Sequence, residues 1–231
     1  MNNQITTIAF DADDTLWQNE IHFQDTERKF CALLEDYLPQ HTITQELFQT
    51  EMQNLSSYGY GVKGFMLSMI ETALRITSHN LPAGLINRII TLGKELLAKP
   101  VELLPGVKET LESLYPTHRL VIATKGDLLD QERKLEKSGL QQYFHHISIM
   151  SDKQPKDYHK LLQSLDCSPE NFLMVGNSIK SDIIPVLKAG AFAAHIPFHP
   201  TWVHEQVESP LKHPRFIPLT HINEITKRFS H

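Results

Sequence analysis

Cysteine is scarce in this chain: two residues in 231, Cys31 and Cys167, far apart and without the spacing of a metal pair. That excludes a disulfide framework or a cysteine-built zinc site. Two such thiols fit buried side chains in a reducing compartment. No stretch approaches the ~20 apolar residues of a membrane helix. The first residues, Met-Asn-Asn-Gln, run directly into an apolar strand with no basic segment and apolar run of a secretion signal. The expected location is therefore the cytoplasm, with no membrane partner. Basic excess is missing too. A formal charge of −5 gives no field for nucleic acid. Thirteen histidines are present, yet none stands in a His-Glu-x-x-His or other zinc spacing. Internal repeats and low-complexity segments are also absent.

What the chain does have is a change of periodicity. Its length allows one large domain or a core with a smaller companion. Thr7-Ile8-Ala9-Phe10 reads as a strand that stops abruptly at polar residues, three of them acidic. Residues 17–99 read as entirely helical. Val62, Phe65, Met66, Met69, Ile70, Ala73 and Leu74 follow the three-four spacing of one buried face. Phe23, Phe30, Leu34 and Tyr37 outline a second face, Phe48, Met52 and Leu55 a third, and Leu85, Ile89, Leu92 and Leu96 a fourth. Four helices with short connections predict a small antiparallel bundle.

From residue 100 onward the pattern alternates. Helices are expected over 105–114, 128–137, 158–165 and 183–189, and strands over 119–123, 146–150, 172–175 and 191–196. Strand–helix alternation of this kind predicts an α/β fold with an open, Rossmann-like parallel sheet. The expected domains are a core of residues 1–16 and 100–231 and an inserted α-helical cap of residues 17–99. Parallel sheets bind ligands beyond the carboxyl ends of their strands. The loops there are Asp11 to Thr15, Thr124-Lys125, Ser151 to Lys153 and Asn177 to Asp182. With the strands side by side these loops meet at one edge, and the helical insert is expected to act as a lid.

The first loop, Phe10-Asp11-Ala12-Asp13-Asp14-Thr15-Leu16, holds two carboxylates at i and i+2. Phosphate-ester hydrolysis needs such a division of labour, one carboxylate to attack phosphorus and one acid to protonate the leaving oxygen. The strand–Asp-x-Asp-x-Thr sequence resembles the first motif of the haloacid dehalogenase superfamily. Later motifs follow in order: a threonine after the second strand, Val121-Ile122-Ala123-Thr124, then Lys153 before a helix, then Val175-Gly176-Asn177-Ser178-Ile179-Lys180-Ser181-Asp182. The resemblance is to the capped phosphatase branch, with the cap inserted after the first motif.

That resemblance implies roles. Asp11 would be nucleophile and metal ligand, and Asp13 general acid and then base, with its carbonyl on the metal. Thr124 and Lys153 would bind the phosphoryl group, helped by N–H groups of the Asp13-Asp14 turn. Asn177 and Asp182 would complete a site of hard oxygens suited to Mg²⁺. Dehalogenase relatives replace the second aspartate, so Asp13 argues for phosphate chemistry. The implied function is Mg²⁺-dependent hydrolysis of a small phosphorylated metabolite, by a monomer or homodimer. A phosphomutase and a binding or regulatory protein that lost turnover are the alternatives.

Other residues carry less. Asp14 stands where many relatives have glycine, and reads as a surface turn residue. Asn177 stands where many have aspartate, and either offers its carbonyl oxygen to the metal or only bonds within the turn. Lys156 is expected to face solvent. Trp17 either lines the cleft or packs between lid and core. Tyr58, Tyr60 and Lys63, in the glycine-rich join between two lid helices, resemble a substrate-specificity loop, a plain interhelical turn being the other reading. The loop from His199 to Glu205 leaves the same sheet edge and reads as structural, around a buried Trp202.

Overall fold

A computed structural model describes residues 5–205 and 211–229. The chain divides into two compact units. The first comprises the described residues of Met1–Glu20, Val101–Lys125 and Glu132–His231, and the second is Ile21–Pro100 with Gly126–Gln131. The first break thus falls after Glu20 rather than at residue 17. The reason is that the chain leaving and re-entering the first unit is tied to itself. Gln18 N–H donates to Glu102 at 3.0 Å and Leu104 N–H to Leu16 at 2.9 Å.

The first unit is built on a sheet of six parallel strands in the order β3-β2-β1-β4-β5-β6. These are β1 (Thr7–Phe10), β2 (Arg119–Lys125), β3 (His146–Met150), β4 (Phe172–Gly176), β5 (Phe192–His195) and β6 (Phe216–Pro218). The α/β fold is the one expected. The sixth strand, three residues closed by a proline, carries no legible pattern of its own.

Side chains alternate between the two faces of a strand, and both faces here are covered. Ile8 and Phe10 join Leu120, Ile122, Leu173 and Val175 on one face, with Leu111 of α5 (Val107–Leu114), Leu135 of α6 (Leu128–Ser138) and Ile225 of α9 (Glu224–Phe229). Ala9, Val121 and Met174 face the other way, onto Leu161 of α7 (Pro155–Ser164) and Val186 of α8 (Ile184–Lys188). This double burial explains why the strands read as continuous apolar runs. The helix expected over 183–189 is different in form. A wide turn, Ile179–Ile183, with i→i+5 hydrogen bonding precedes a short α8.

The second unit is helical: α1 (Glu20–Leu33), α2 (Gln40–Tyr58), α3 (Val62–Ile76) and α4 (Ala83–Ala98). Its core joins Phe30, Leu34, Leu47, Phe65, Met69, Ala73, Ile89 and Leu96. Two of the expected faces differ, one rotated and one cut short. On α2 the buried residues are Ile43, Leu47 and Thr50, while Phe48, Met52 and Leu55 are only half-buried. Tyr37 is exposed because α1 ends at Leu33, before the spacing reaches it. Cys31 is buried and Cys167 half-buried, and both are free thiols. Among the described residues no helix is long and apolar enough to cross a membrane.

Candidate active site

Strand order determines where chemistry can occur. β1 is central, with β2 on one side and β4 on the other, so successive connections leave in opposite directions at its carboxyl end. Open parallel sheets bind ligands at this switch point. Asp11 is the first residue beyond β1, and its N–H still donates to Val175 at 2.9 Å. Phe10 pairs with Ile122 on β2 and Val175 on β4. Counting on two residues in that register brings Thr124 and Asn177 level with Ala12, one on each flank.

Lys153 reaches this point from the loop after β3. Its ammonium donates to Oδ1 of Asp11 and to Oδ1 of Asp182, each at 2.6 Å. The Lys153 and Asp182 side chains are 1% and 0% exposed. A buried lysine is tolerable only with partners. Burial lowers its pKa, but Asp11 and Asp182 more than reverse that, and the ammonium is held well above its ordinary range. Burial, then Asp182, push the Asp11 carboxyl up to about 7, against the pull of Lys153. Two buried carboxylates thus share one cation, and the cluster has an excess of negative charge. Lys156 is exposed, as expected.

Asp182 also accepts the Ser178 N–H on Oδ2 at 3.0 Å, closing the turn after β4. Gly176 is required beneath it, since a Cβ there would lie 2.2 Å from that oxygen. Asn177 turns its side-chain oxygen to the Thr15 hydroxyl at 3.2 Å, and its carbonyl accepts from His195 Nε2 at 2.9 Å. Thr15 of the first loop thus holds the side-chain amide, and His195 of β5 holds the backbone that carries it. The Thr124 hydroxyl, buried at the end of β2, donates to the Lys125 carbonyl at 3.3 Å.

Asp13 is held by two donors at Oδ1. Its Oδ1 accepts the Trp17 indole N–H at 2.7 Å and the Lys134 ammonium at 2.6 Å. Trp17 is 1% exposed, so its place is the core and its polar atom serves Asp13. Of the two readings of Trp17, this burial favours packing over lining a cleft. Asp14 is corrected as well. It is buried, at φ 57, and its carboxylate accepts the N–H groups of Asn19 and Glu20 where α1 begins. Left-handed backbone is where glycine, asparagine or aspartate fits. Burial, then Asp13, push the Asp14 carboxyl up to about 8. The Asp14 N–H, expected to face a phosphoryl group, donates to the Trp17 carbonyl at 2.7 Å.

The family description "haloacid dehalogenase-like hydrolase" matches residues 5–190. The chain belongs to the haloacid dehalogenase-like hydrolases. A solved hydrolase of this family from Xanthomonas campestris is 35% identical over 99% of this chain and 93% of its own, with a TM-score of 0.88. The HAD hydrolase YfnB of Bacillus subtilis, bound to magnesium, is 18% identical over 99% of this chain and 100% of its own, at a TM-score of 0.67. A predicted phosphoglycolate phosphatase of Haemophilus somnus is 18% identical over 99% of both chains, at 0.64. Dehalogenases of solved structure lie at similar distance, so likeness at this level gives the fold and does not separate the two chemistries. No curated protein matches.

In this haloacid dehalogenase-like hydrolase the remaining expected residues belong to the helical unit. Tyr58 is exposed and donates to Glu71 at 2.6 Å. Tyr60 is half-buried between Gly59 and Gly61. Lys63 is paired with both oxygens of Asp127 at 3.0 Å. Gly64 lets the start of α3 approach Gly59, whose carbonyl would lie 2.8 Å from an added Cβ. Tyr58 and Lys63 thus each spend a polar atom on an acidic neighbour inside this unit.

Sequence reasoning missed a second charged cluster in the sheet unit. Glu205 accepts from Lys125 at 2.6 Å, from the Ser181 hydroxyl at 2.8 Å, and from the Ser178 hydroxyl. Although burial opposes it, Lys125 and the two serines hold its carboxyl down to about 2. The loop from His199 thus latches onto the turn that carries Asp182. Trp202 is only half-buried, against the ring of His204. The one sequence hint was that Ser178 and Ser181 flank that turn.

Proposed function

We propose that this protein is a Mg²⁺-dependent phosphatase that hydrolyses a small phosphomonoester through an aspartyl phosphate on Asp11. The observation that carries the reading is Asp13, two residues beyond the nucleophile, its carboxylate oriented by Trp17 and Lys134. An oriented second acid serves a reaction whose leaving oxygen needs a proton. Displacement of halide from carbon has no such need.

The residues then divide the work. Asp11 keeps Oδ2 clear of the Lys153 contact on Oδ1, and this oxygen attacks phosphorus as the bond to the leaving oxygen breaks. Asp13 gives that oxygen its proton. Asp13, now a carboxylate, takes a proton from the water that attacks the acyl phosphate, which releases inorganic phosphate and restores both aspartates. Lys153 and Thr124 hold the phosphoryl oxygens, where fixed charges and dipoles stabilise the transition state.

Among the described residues no three His, Cys, Asp or Glu side chains form a ready ion cage. The donor set fits a hard cation in another way. Asp11, the main-chain carbonyl of Asp13 and the side-chain oxygen of Asn177 are oxygens, and the cluster is over-charged by the Asp11–Asp182 pair. Both Asp182 oxygens are engaged, so it contributes charge, or contact through water. Bound there, Mg²⁺ would neutralise phosphoryl charge. The substrate is a sugar phosphate, nucleotide or similar metabolite.

The test is phosphate release from a panel of phosphorylated metabolites, with Mg²⁺ and with EDTA, beside halide release from 2-haloacids. Phosphate release that needs Mg²⁺ and vanishes in Asp11→Asn supports the reading. Halide release without phosphatase activity overturns it.

A further inference from the structure

Glu205 lies on the loop that follows β5, and its side chain is 11% exposed. Its two oxygens gather donors from two other loops. Oε1 accepts the Lys125 ammonium at 2.6 Å, and Oε2 accepts the Ser181 hydroxyl at 2.8 Å and the Ser178 hydroxyl. Lys125 donates to the Ser181 hydroxyl as well, at 2.9 Å, and the Ser181 N–H donates to the Ser178 hydroxyl at 3.0 Å. Each hydroxyl thus gives one hydrogen and accepts another. Lys125 closes β2, one residue beyond Thr124. Ser178 and Ser181 lie in the turn after β4, between Asn177 and Asp182. β2 and β4 flank β1, whose carboxyl end leads into Asp11. One carboxylate therefore ties together the loops on either side of the candidate nucleophile.

We infer that Glu205 is a positioning residue for the divalent-cation site: bonded to Lys125, Ser178 and Ser181, it sets where the Asn177–Asp182 turn stands against Asp11. This rests on the Mg²⁺-phosphatase reading above and adds to it what aims the turn. Ser178 is the joint. It follows Asn177 in the chain, its N–H holds Oδ2 of Asp182 at 3.0 Å, and its hydroxyl is held by Glu205. A displacement of Ser178 would carry both neighbours with it. The turn needs support from outside, because Ile179–Ile183 is wide, with i→i+5 bonding, a form that is rare and concentrates at functional sites. A carboxylate suits the task better than an amide. It presents acceptors on both oxygens, and charged acceptors make shorter and stronger bonds. An amide of the same shape would turn its NH₂ toward Lys125 or toward the serines and lose the contacts on that side. Placement matters because Mg²⁺ demands near-ideal octahedral geometry at short distances.

A purely structural glutamate and a positioning glutamate differ in what their loss does to the cation. Calorimetric titration with Mg²⁺, in the absence of substrate, reads the site apart from turnover. Glu205→Gln should bind Mg²⁺ ~10–100-fold more weakly than the wild type, the scale of partners that stand behind metal ligands. Phosphate release should then need correspondingly more Mg²⁺ for half its maximal rate, with kcat at saturating Mg²⁺ within a few-fold of wild type. Ser178→Ala cuts the joint from the other side and should weaken Mg²⁺ binding similarly. The double variant should lose little more than either single one, because both remove the same link. Ser178→Ala serves alone if Glu205→Gln does not fold. Ile225→Val, which trims the core of the same unit on α9, should leave Mg²⁺ affinity unchanged. Wild-type Mg²⁺ affinity in the Glu205 and Ser178 variants, fully additive losses in the double variant, or an equal loss in Ile225→Val would overturn the inference while leaving the phosphatase reading intact. A wild-type protein that binds Mg²⁺ but releases no phosphate would sink the phosphatase reading alone. One that binds no Mg²⁺ would sink the metal site, and the inference with it.

Discussion

The ammonium of Lys153 stands 2.6 Å from Oδ1 of Asp11, and the lysine side chain is 1% exposed. Removing it leaves Asp11 and Asp182 buried with no cation between them. Breaking a buried pair by deleting one partner typically costs ~3–5 kcal/mol. Lys153→Met should therefore lose stability of that order in urea at pH 8. The loss should shrink toward pH 5, where a proton can replace the lysine. A loss below ~1 kcal/mol at pH 8 would mean that Lys153 is not the group that makes this buried pair tolerable.

Gly176 should accept no side chain. A Cβ there would approach Asp182 Oδ2 to 2.2 Å and its Cγ to 2.4 Å, and Asp182 is fully buried. Gly176→Ala must displace the carboxylate that anchors Lys153. Turnover should fall at least ~100-fold, on the scale seen when a catalytic group is misplaced by about an ångström. Full activity in this variant would show that Asp182 can move without consequence.

Asp14 should make stability depend on pH in an unusual direction. Its folded carboxyl is pushed from the ordinary 3.8 up to about 8 by burial and Asp13. The folded protein therefore holds this proton more tightly than the unfolded chain, and stability declines as pH rises from about 4 to 8. Asp14→Asn keeps an acceptor for the Asn19 and Glu20 N–H groups and tolerates φ 57. Chemical denaturation across that range should show a flatter decline in the variant. An unchanged slope would remove Asp14 as its source.

Glu205 should act at the other end of the scale. Its carboxyl is held near 2, below the ordinary 4.5. Its stabilisation is complete above pH 4.5 and is lost as pH falls through about 2. Glu205→Gln should cost about 2 kcal/mol at neutral pH, the scale of hydrogen bonds to a charged group, and nothing near pH 2. A cost that is the same at both ends would mean that the charge is not what binds this loop to Ser178, Ser181 and Lys125.

What could be read in the sequence was whatever local pattern controls. β1 and β4 are buried on both faces, so Ile8, Phe10, Leu173 and Val175 announce them. The acidic loop after β1 and the turn after β4 were legible because polar residues interrupt such runs abruptly. Lys134, Glu205 and the capping role of Asp14 were not legible. Lys134 and Glu205 depend on which charged group folding brings within 2.6 Å from 80 or more residues away, and Asp14 on how the chain turns back at Glu20; a lysine on a helix or an aspartate in a turn has the same local signature in solvent. Trp17 stayed open between two readings for the same reason: its aromatic ring fits a cleft or a core equally well until its burial and the Asp13 contact are known.

The central claim is that Asp11 is phosphorylated during turnover. Enzyme mixed with excess phosphate ester and Mg²⁺, quenched in acid within one turnover and digested, can be read by peptide mass spectrometry. The account predicts one phosphoryl group on the Asp11 side chain, absent in Asp11→Asn and absent in EDTA. Phosphate release with no adduct on Asp11, or an adduct on another residue, would contradict it.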